Sequence, residues 1–181
     1  MTRTPVCPTL QPERYSQREV NMPVKRLKRF LESEGVKYLT ISHSQAFTAQ
    51  EIAATAHIPG KEVAKTVMVK IDGDMAMAVL AADDRVDRHL LKQAAQAEVV
   101  ELASESEFRD LFSNCQLGAM PPFGNLWDMR VFVDERLAED DEIAFNAGSH
   151  SELVRLAYAD FERLVEPQVV HLTTRESAVA G

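Results

Sequence analysis

The chain has 181 residues, 45% of them apolar and 27% charged, which is typical of one globular domain with a core of its own. Its formal net charge of −8 argues against broad, sequence-independent binding to nucleic acid, because such binding needs many Lys and Arg contacts to phosphate; a small contact with one RNA end stays open. No apolar run is long enough to span a bilayer, and we expect no secretory signal because the N-terminus lacks an apolar core.

The first 21 residues differ in composition from the rest of the chain. They contain three prolines within the first 12 positions and no periodic apolar pattern. We therefore expect a flexible tail at 1–21, one domain at 22–172 and a loose end at 173–181.

Residues 24–34 have the periodicity of an amphipathic helix, with Leu27 and Leu31 on its apolar face. The basic residues around that face form the densest positive patch of the sequence: Lys25, Arg26, Lys28 and Arg29. This patch has two interpretations, a solvated helix face or a contact with the RNA backbone.

Two apolar runs, 63–71 and 75–80, are joined by Asp72 and Gly73, and this pattern predicts a tight β-hairpin. Lys65 and Thr66 stand near the start of its first strand. A lysine here is either an edge charge in water or a fixed cation at the mouth of a pocket, suited to a phosphate or a developing oxyanion.

The remaining predicted elements are short and mix helices with strands. Capping-box patterns that start at Thr48 and Ser104 predict helices ending at Ala56 and Phe112, and Asp87 predicts the cap of a helix over 88–95. A further short helix, 161–165, is expected with Asp160 as its cap. Predicted strands cover 36–42, 98–102, 129–133, 142–146, 153–157 and 168–172. This order favours a single-domain α+β fold with a mixed sheet over a doubly wound one.

Two polar features have competing interpretations. Asp83 and Asp84 are either acid–base carboxylates or loop and capping residues; the second is favoured because adjacent side chains point in different directions. Residues 134–141 form an acidic connection with a helical turn at most. No second histidine stands at metal-binding distance along the sequence from His43 or His57, so we expect no zinc site.

The two cysteines, Cys7 and Cys115, lie far apart, which argues against a disulfide framework and favours a reducing cytoplasm. Cys115 could serve as a nucleophile, but its neighbours along the chain offer neither a base nor a helix N-terminus. A packed thiol is therefore the favoured interpretation.

Residues 118–124 form the most constrained loop of the chain, since two prolines remove backbone donors and two glycines permit unusual backbone angles. Such a loop is either a rigid turn or a frame that exposes carbonyl groups in a fixed orientation.

Three segments, in chain order, resemble the YbaK-like family: Ala64-Lys65-Thr66, the GxxxP element from Gly118 to Pro122, and Phe145-Asn146-Ala147-Gly148-Ser149-His150. That family includes the editing domain inserted in bacterial prolyl-tRNA synthetases and free-standing relatives that deacylate mischarged tRNA. The likeness covers roughly residues 22–167.

The resemblance implies a partly closed mixed sheet surrounded by helices, and hydrolysis of the ester between a wrong amino acid and the 3′-terminal adenosine of tRNA. It implies that Lys65 contacts the terminal phosphate or the ester, that Gly118 orients the aminoacyl group or a water, and that His150 lines the amino-acid pocket. Further substrate contacts are implied at Thr66, Pro122, Phe123, Gly148 and Ser149.

The expected reaction is compatible with these residue types. An aminoacyl ester is already activated, so a positioned water and a fixed ammonium group would suffice. A small pocket would admit Ala, Ser, Thr or Cys, and no cofactor is expected. The expected partners are the 3′ acceptor end of tRNA and an aminoacyl-tRNA synthetase, without membrane or DNA. The alternative is a non-catalytic module that binds a small molecule or nucleotide, or docks on a synthetase.

Overall fold

The computed structural model of the chain describes residues 23–44, 48–112 and 115–173. The expected tail at 1–21 and the end beyond Thr173 lie outside the described residues. None of the helices in the described part is long and apolar enough to cross a membrane.

Helices and strands alternate irregularly along these residues. The helices are α1 (Pro23–Ser33), α2 (Ala49–Ala56), α3 (Arg88–Ala95), α4 (Glu105–Phe108) and α5 (Tyr158–Val165). The strands are β1 (Tyr38–Ser42), β2 (Val63–Ile71), β3 (Asp74–Ala81), β4 (Val100–Leu102), β5 (Arg130–Asp134), β6 (Glu142–Ser149), β7 (Glu152–Ala157) and β8 (Gln168–Val170). A single 3₁₀ turn, Leu137–Glu139, lies within the acidic connection, as the sequence predicted.

The strands form one curled mixed sheet in the order β1-β7-β6-β2-β3-β5-β8, with β4 paired to β2. The pairs β2–β3, β2–β4, β6–β7 and β1–β7 are antiparallel, whereas β2–β6, β3–β5 and β5–β8 are parallel. The predicted α+β fold with a mixed sheet is confirmed.

The central hairpin also forms as predicted. Asp72 has φ 53° and Gly73 has φ 94°, so both turn residues adopt the left-handed conformation of a two-residue hairpin turn. The Asp72 carboxylate accepts backbone N–H groups from Glu98 and Val99 at 2.9 and 2.7 Å, which ties the turn to the segment leading into β4.

The helix caps predicted at Thr48 and Asp87 are present. Thr48 accepts the N–H of Glu51 at 3.2 Å, and the Glu51 carboxylate accepts the N–H of Thr48 at 3.1 Å. Asp87 accepts the N–H groups of His89 and Leu90 at 2.8 and 3.2 Å. These local bonds satisfy donors that the first helical turn leaves unpaired.

Other elements pack against both faces of the sheet. Successive residues of β2 and β6 point to opposite faces and so belong to different cores. Val63 and Ala144 pack with Ile52 of α2 on one face. Ala64 and Phe145 belong to the larger core on the other face, which also holds buried side chains of α1 and α5.

Three predicted boundaries are wrong by three residues or more. Strand β6 continues through Gly148 to Ser149 instead of ending at Asn146, because a β-bulge between Asn146 and Ser149 absorbs the irregular segment. Helix α5 begins at Tyr158 with Ala157 as its cap, so Asp160 lies inside the first turn. A carboxylate in this turn interacts favourably with the helix dipole. Helix α4 ends at Phe108 rather than Phe112.

Candidate functional site

The sheet opens between β2 and β6. The two strands pair only at Val63–Ala144 and Ala64–Phe145. Further along, the same edge of β2 is taken up by Ala103, whose N–H donates to Met68 O at 3.0 Å, and then by β4 from Val69. Within the described residues, positions 65–67 of β2 have no strand paired on this edge, and we call this opening the β2–β6 gap.

The loop at residues 116–124, the Gly118 loop, is attached to β6 beside this gap. Gln116 donates its N–H to Gly148 O at 2.9 Å, and Gly148 donates its N–H to Ala119 O at 2.9 Å. The Gln116 side-chain oxygen accepts the N–H of His150 at 2.6 Å. The sequence motifs around Gly118 and His150 are therefore brought together although 32 positions separate them.

His150 holds the loop through its side chain as well. The ring is 7% exposed, and its Nε2 atom lies 2.7 Å from the carbonyl oxygen of Leu117. A carbonyl only accepts, so this contact requires the proton on Nε2.

Gly118 faces the same ring. Its φ is +83°, and a Cβ atom placed there would lie 3.5 Å from His150 Cε1, an ordinary contact distance. The backbone angle, more than lack of space, requires glycine at this position.

A cleft of about 260 Å³ lies beside the loop and is lined on β2 by Thr66, Val67 and Met68. Its walls are mostly apolar, and its lining includes Thr66, Met68, Phe108, Leu117, Gly118 and Met120. Sites for drug-sized ligands usually measure about 300–1,000 Å³, so this cleft suits a small group.

Lys65 lies next to Thr66 but on the opposite face of β2, together with Val63. Its Nζ donates to the carbonyl oxygens of Ala82, at 2.9 Å, and Asp84. An ammonium group has three N–H donors, so one remains after these two bonds. Burial lowers the pKa of Lys65, and the nearby carboxylates of Asp84 and Asp83 oppose that shift.

The structure therefore brings Thr66 and Gly118 to one cleft, holds His150 against the Gly118 loop beside it, and places Lys65 on the opposite face of β2. Asn146 shares the face of Lys65, since each is the next residue after a paired position of the parallel strands. The Asn146 Oδ1 atom is buried and has no hydrogen-bond partner among the described residues. The sequence analysis did not select Asn146, although the motif that ends at His150 contains it.

A sequence model of the family described as the aminoacyl-tRNA editing domain matches residues 43–164 of the chain. The chain belongs to this family. The resemblance inferred from the three short motifs is thereby confirmed.

Individual members show how far the likeness extends. The multifunctional Ser/Thr-tRNA deacylase ProXp-y of Escherichia coli (strain K12) is 30% identical over 152 residues, covering 81% of this chain and 90% of the relative. The proline–tRNA ligase of Leuconostoc citreum (strain KM20) is 28% identical over 137 residues, covering 74% of this chain and 24% of the ligase. The crystal structure of a candidate trans-editing enzyme for prolyl tRNA synthetase shares the fold, with a TM-score of 0.72 at 20% identity over 84% of this chain and 98% of that one.

The other residues that the editing-domain resemblance implied lie around the same loop. Pro122 is buried, and Phe123 is fully enclosed, with its ring 6.2 Å from Phe30, 5.5 Å from Phe145 and 5.6 Å from Phe161. Gly148 and the half-buried Ser149 lie in the β-bulge of β6. In this packing, Phe123 holds the loop against the core.

The basic patch on α1 is partly engaged within the protein. Lys28 forms an ion pair with Glu152 at 2.8 Å, and the Arg26 guanidinium lies 5.2 Å from the centre of the Trp127 ring. Lys25 and Arg29 have exposed side chains. Contact of this helix with RNA stays a prediction.

Cys115 has the properties of a packed thiol. Burial raises its pKa to about 12, and its Sγ makes a weak contact with Gln116 O at 3.5 Å. A thiol with this pKa carries almost no thiolate at neutral pH. Among the described residues, no three His, Cys, Asp or Glu side chains are grouped so as to hold a metal ion.

Proposed function

We propose that this chain is a trans-editing hydrolase that deacylates tRNA mischarged with a small amino acid. The observation that carries the proposal is the match to the E. coli Ser/Thr-tRNA deacylase over 90% of that enzyme's length. Serine and threonine are therefore the leading substrates, and alanine and cysteine are the other amino acids small enough to be tested.

The β2–β6 gap supports a binding mode for the ester. The aminoacyl group enters the small cleft beside Gly118, and the terminal adenosine lies at the mouth of the gap. Backbone groups of the loop, whose position His150 fixes, orient the aminoacyl group or the attacking water. The cleft volume of about 260 Å³ favours small side chains, although one methylene changes binding by only about 1–3 kcal/mol.

Lys65 supplies positive charge from the opposite face of β2. Water adds to the ester carbonyl carbon, the bond to the ribose oxygen breaks, and the ribose takes up a proton; the products are a free amino acid and an intact tRNA. The N–H of Lys65 that neither backbone carbonyl uses is available to the terminal phosphate or to the oxyanion that develops on the ester. A neighbouring ribose hydroxyl of the substrate can assist the proton transfer.

A panel of Ser-, Thr-, Ala- and Cys-charged tRNAs tests this function. We expect hydrolysis of at least one of them by the wild type, and a loss of at least about 100-fold in Lys65→Ala, the order found when a charge-stabilising group is removed. Lys92→Ala is the control for loss of a lysine charge, because Lys92 is exposed on α3 and does not line the cleft.

Two outcomes would contradict parts of the proposal. No hydrolysis of any ester at high enzyme concentration would favour a non-catalytic binding module, for which the net charge of −8 and the partly engaged basic helix are the motivating observations. Unchanged turnover in Lys65→Ala would remove the lysine from the mechanism and leave the editing activity itself standing.

Association with a prolyl-tRNA synthetase is part of the same proposal, and co-purification of the two proteins tests it.

A further inference from the structure

The amine of Lys65 is held by a turn that another part of the chain fixes in place. We propose that Arg136 is a positioning residue for the Lys65 amine, which it controls through the carboxylate of Asp84. The inference rests on the proposed function only where it concerns turnover; the placement of the amine is separately measurable.

Both acceptors of the amine belong to the turn that follows β3. Ala82 O and Asp84 O lie two positions apart, and Asp84 donates its N–H to Ala81 O at 3.1 Å. A lysine side chain has four rotatable methylene links, so fixed acceptors are needed to confine its ammonium group to one place. The geometry of this turn therefore sets where the charge lies.

Arg136 fixes the turn from outside. Its Nη2 donates to the Asp84 carboxylate at 2.7 Å, and the two residues are 52 positions apart in the chain. Their side chains are 35% and 17% exposed, so this charge-assisted bond is partly screened from water. Asp84 thus accepts a hydrogen bond from Lys65 on its backbone carbonyl and another from Arg136 on its carboxylate.

Arg136 is itself anchored by a buried carboxylate. Asp134, 1% exposed, accepts the N–H of Arg136 at 3.1 Å and its Nε–H at 3.3 Å. The other oxygen of Asp134 accepts the Leu172 N–H at 2.9 Å and the Thr173 hydroxyl at 3.1 Å. A buried carboxylate with four donors is a rigid anchor, because moving it would leave charge unpaired.

These contacts form one chain of hydrogen bonds from the end of β5 to the amine: Asp134, Arg136, Asp84 and Lys65. Arg136 does not line the cleft beside Gly118; together with Asp83 and Asp84 it lines another hollow, of about 460 Å³. Its effect on turnover is therefore expected in kcat, which depends on the placement of the charge, rather than in KM.

The test compares Arg136→Met and Arg136→Lys with wild type on the same charged tRNA. We expect Arg136→Met to lower kcat about 10- to 100-fold, the size of effect that a misplacement of about 1 Å can produce, with KM nearly unchanged. Arg136→Lys should recover part of the loss, because an ammonium group can still pair with Asp84. Asp84→Asn, which keeps the backbone carbonyl and removes the ion pair, should resemble Arg136→Met.

Arg155→Met is the matched control for loss of a partly buried ion pair. Arg155 is 33% exposed and pairs with Glu142 at 2.6 Å on another part of the same sheet. Thermal unfolding of each variant shows whether it is folded at the assay temperature. Equal loss of kcat in Arg155→Met, or no rescue by Arg136→Lys, would overturn the assignment.

A second measurement does not depend on catalysis. The ¹H–¹⁵N signal of the Lys65 ammonium group, assigned by its loss in Lys65→Arg, reports slow proton exchange of an amine held by two carbonyls. We expect this signal in wild type and Arg155→Met and its broadening in Arg136→Met. A sharp, unshifted signal in Arg136→Met would overturn the proposal, and the result stands even if no charged tRNA proves to be a substrate.

Discussion

Lys65 carries a charge whose stability depends on opposing influences. Burial disfavours the ammonium form, whereas the carboxylates of Asp83 and Asp84 favour it, and the net effect is a pKa below the ordinary lysine value. Two backbone carbonyls accept hydrogen bonds from the charged form. The residue therefore gives up its proton at a lower pH than an exposed lysine does.

The pH dependence of deacylation follows from this shift. If the protonated form is needed, kcat falls as the pH rises through the lowered pKa, and the decline begins below the ordinary lysine pKa of 10.5. In Lys65→Arg the cation persists, so any remaining activity should lack this decline. The pH dependence of kcat, corrected for spontaneous ester hydrolysis, shows which form of the Lys65 amine is active. A rise in kcat over the same range would instead assign Lys65 the role of a neutral base.

Cys115 provides a second test at this scale. Because its pKa is raised to about 12, we expect iodoacetamide to react slowly at neutral pH and Cys115→Ala to keep full deacylase activity. Rapid loss of activity on alkylation, prevented by Cys115→Ala, would revive the cysteine-dependent mechanism.

At the scale of elements, short sequence patterns predicted correctly those features that depend only on neighbouring residues. The hairpin turn and the caps at Thr48 and Asp87 were correct because a few neighbouring residues satisfy each other's backbone groups. The end of β6 was wrong because glycine and serine usually interrupt a strand, whereas here the Gly118 loop supplies bonds that keep the bulged segment in place. That partner is about 30 positions away, so no local pattern reveals it.

The Gly118 loop yields a prediction with a close control. Gly118 has φ +83° near His150, and Gly35 has φ +68° with nothing within 4 Å of an added Cβ. Substitution by alanine should lower the free energy of unfolding by a similar amount at both positions, about 1–2 kcal/mol, because each residue would adopt the same strained left-handed conformation. Only Gly118→Ala should lower deacylation; urea unfolding and turnover measure the two effects, and equal activity of both variants would contradict a role for the loop.

At the scale of the whole molecule, the sequence motifs indicated the family and the mixed sheet but not how the site residues lie across it. The lysine, the loop and the histidine were expected around one cavity. The structure places Thr66 and Gly118 in the cleft, His150 against the Gly118 loop, and Lys65 on the opposite face of β2. The contribution of Arg136 was not foreseeable, since its bond to Asp84 joins residues 52 positions apart.

Phe123 links the site to global stability. Its side chain is fully buried among three aromatic rings, so Phe123→Ala should lower the free energy of unfolding by about 3–5 kcal/mol. Phe123→Leu should lose much less, because it keeps most of the volume. Chemical denaturation measures both losses, and KM for Phe123→Leu tests the predicted substrate contact: an unchanged KM assigns the ring to the core.

The β2–β6 gap also bears on self-association. An exposed strand edge can template pairing with another chain, and this risk grows with the number of consecutive free backbone groups. The gap spans positions 65–67, about 10 Å of extended backbone, and is closed by β6 at Ala64 and by Ala103 at Met68. An opening of this length gives an intruding peptide too few bonds to nucleate an aggregate.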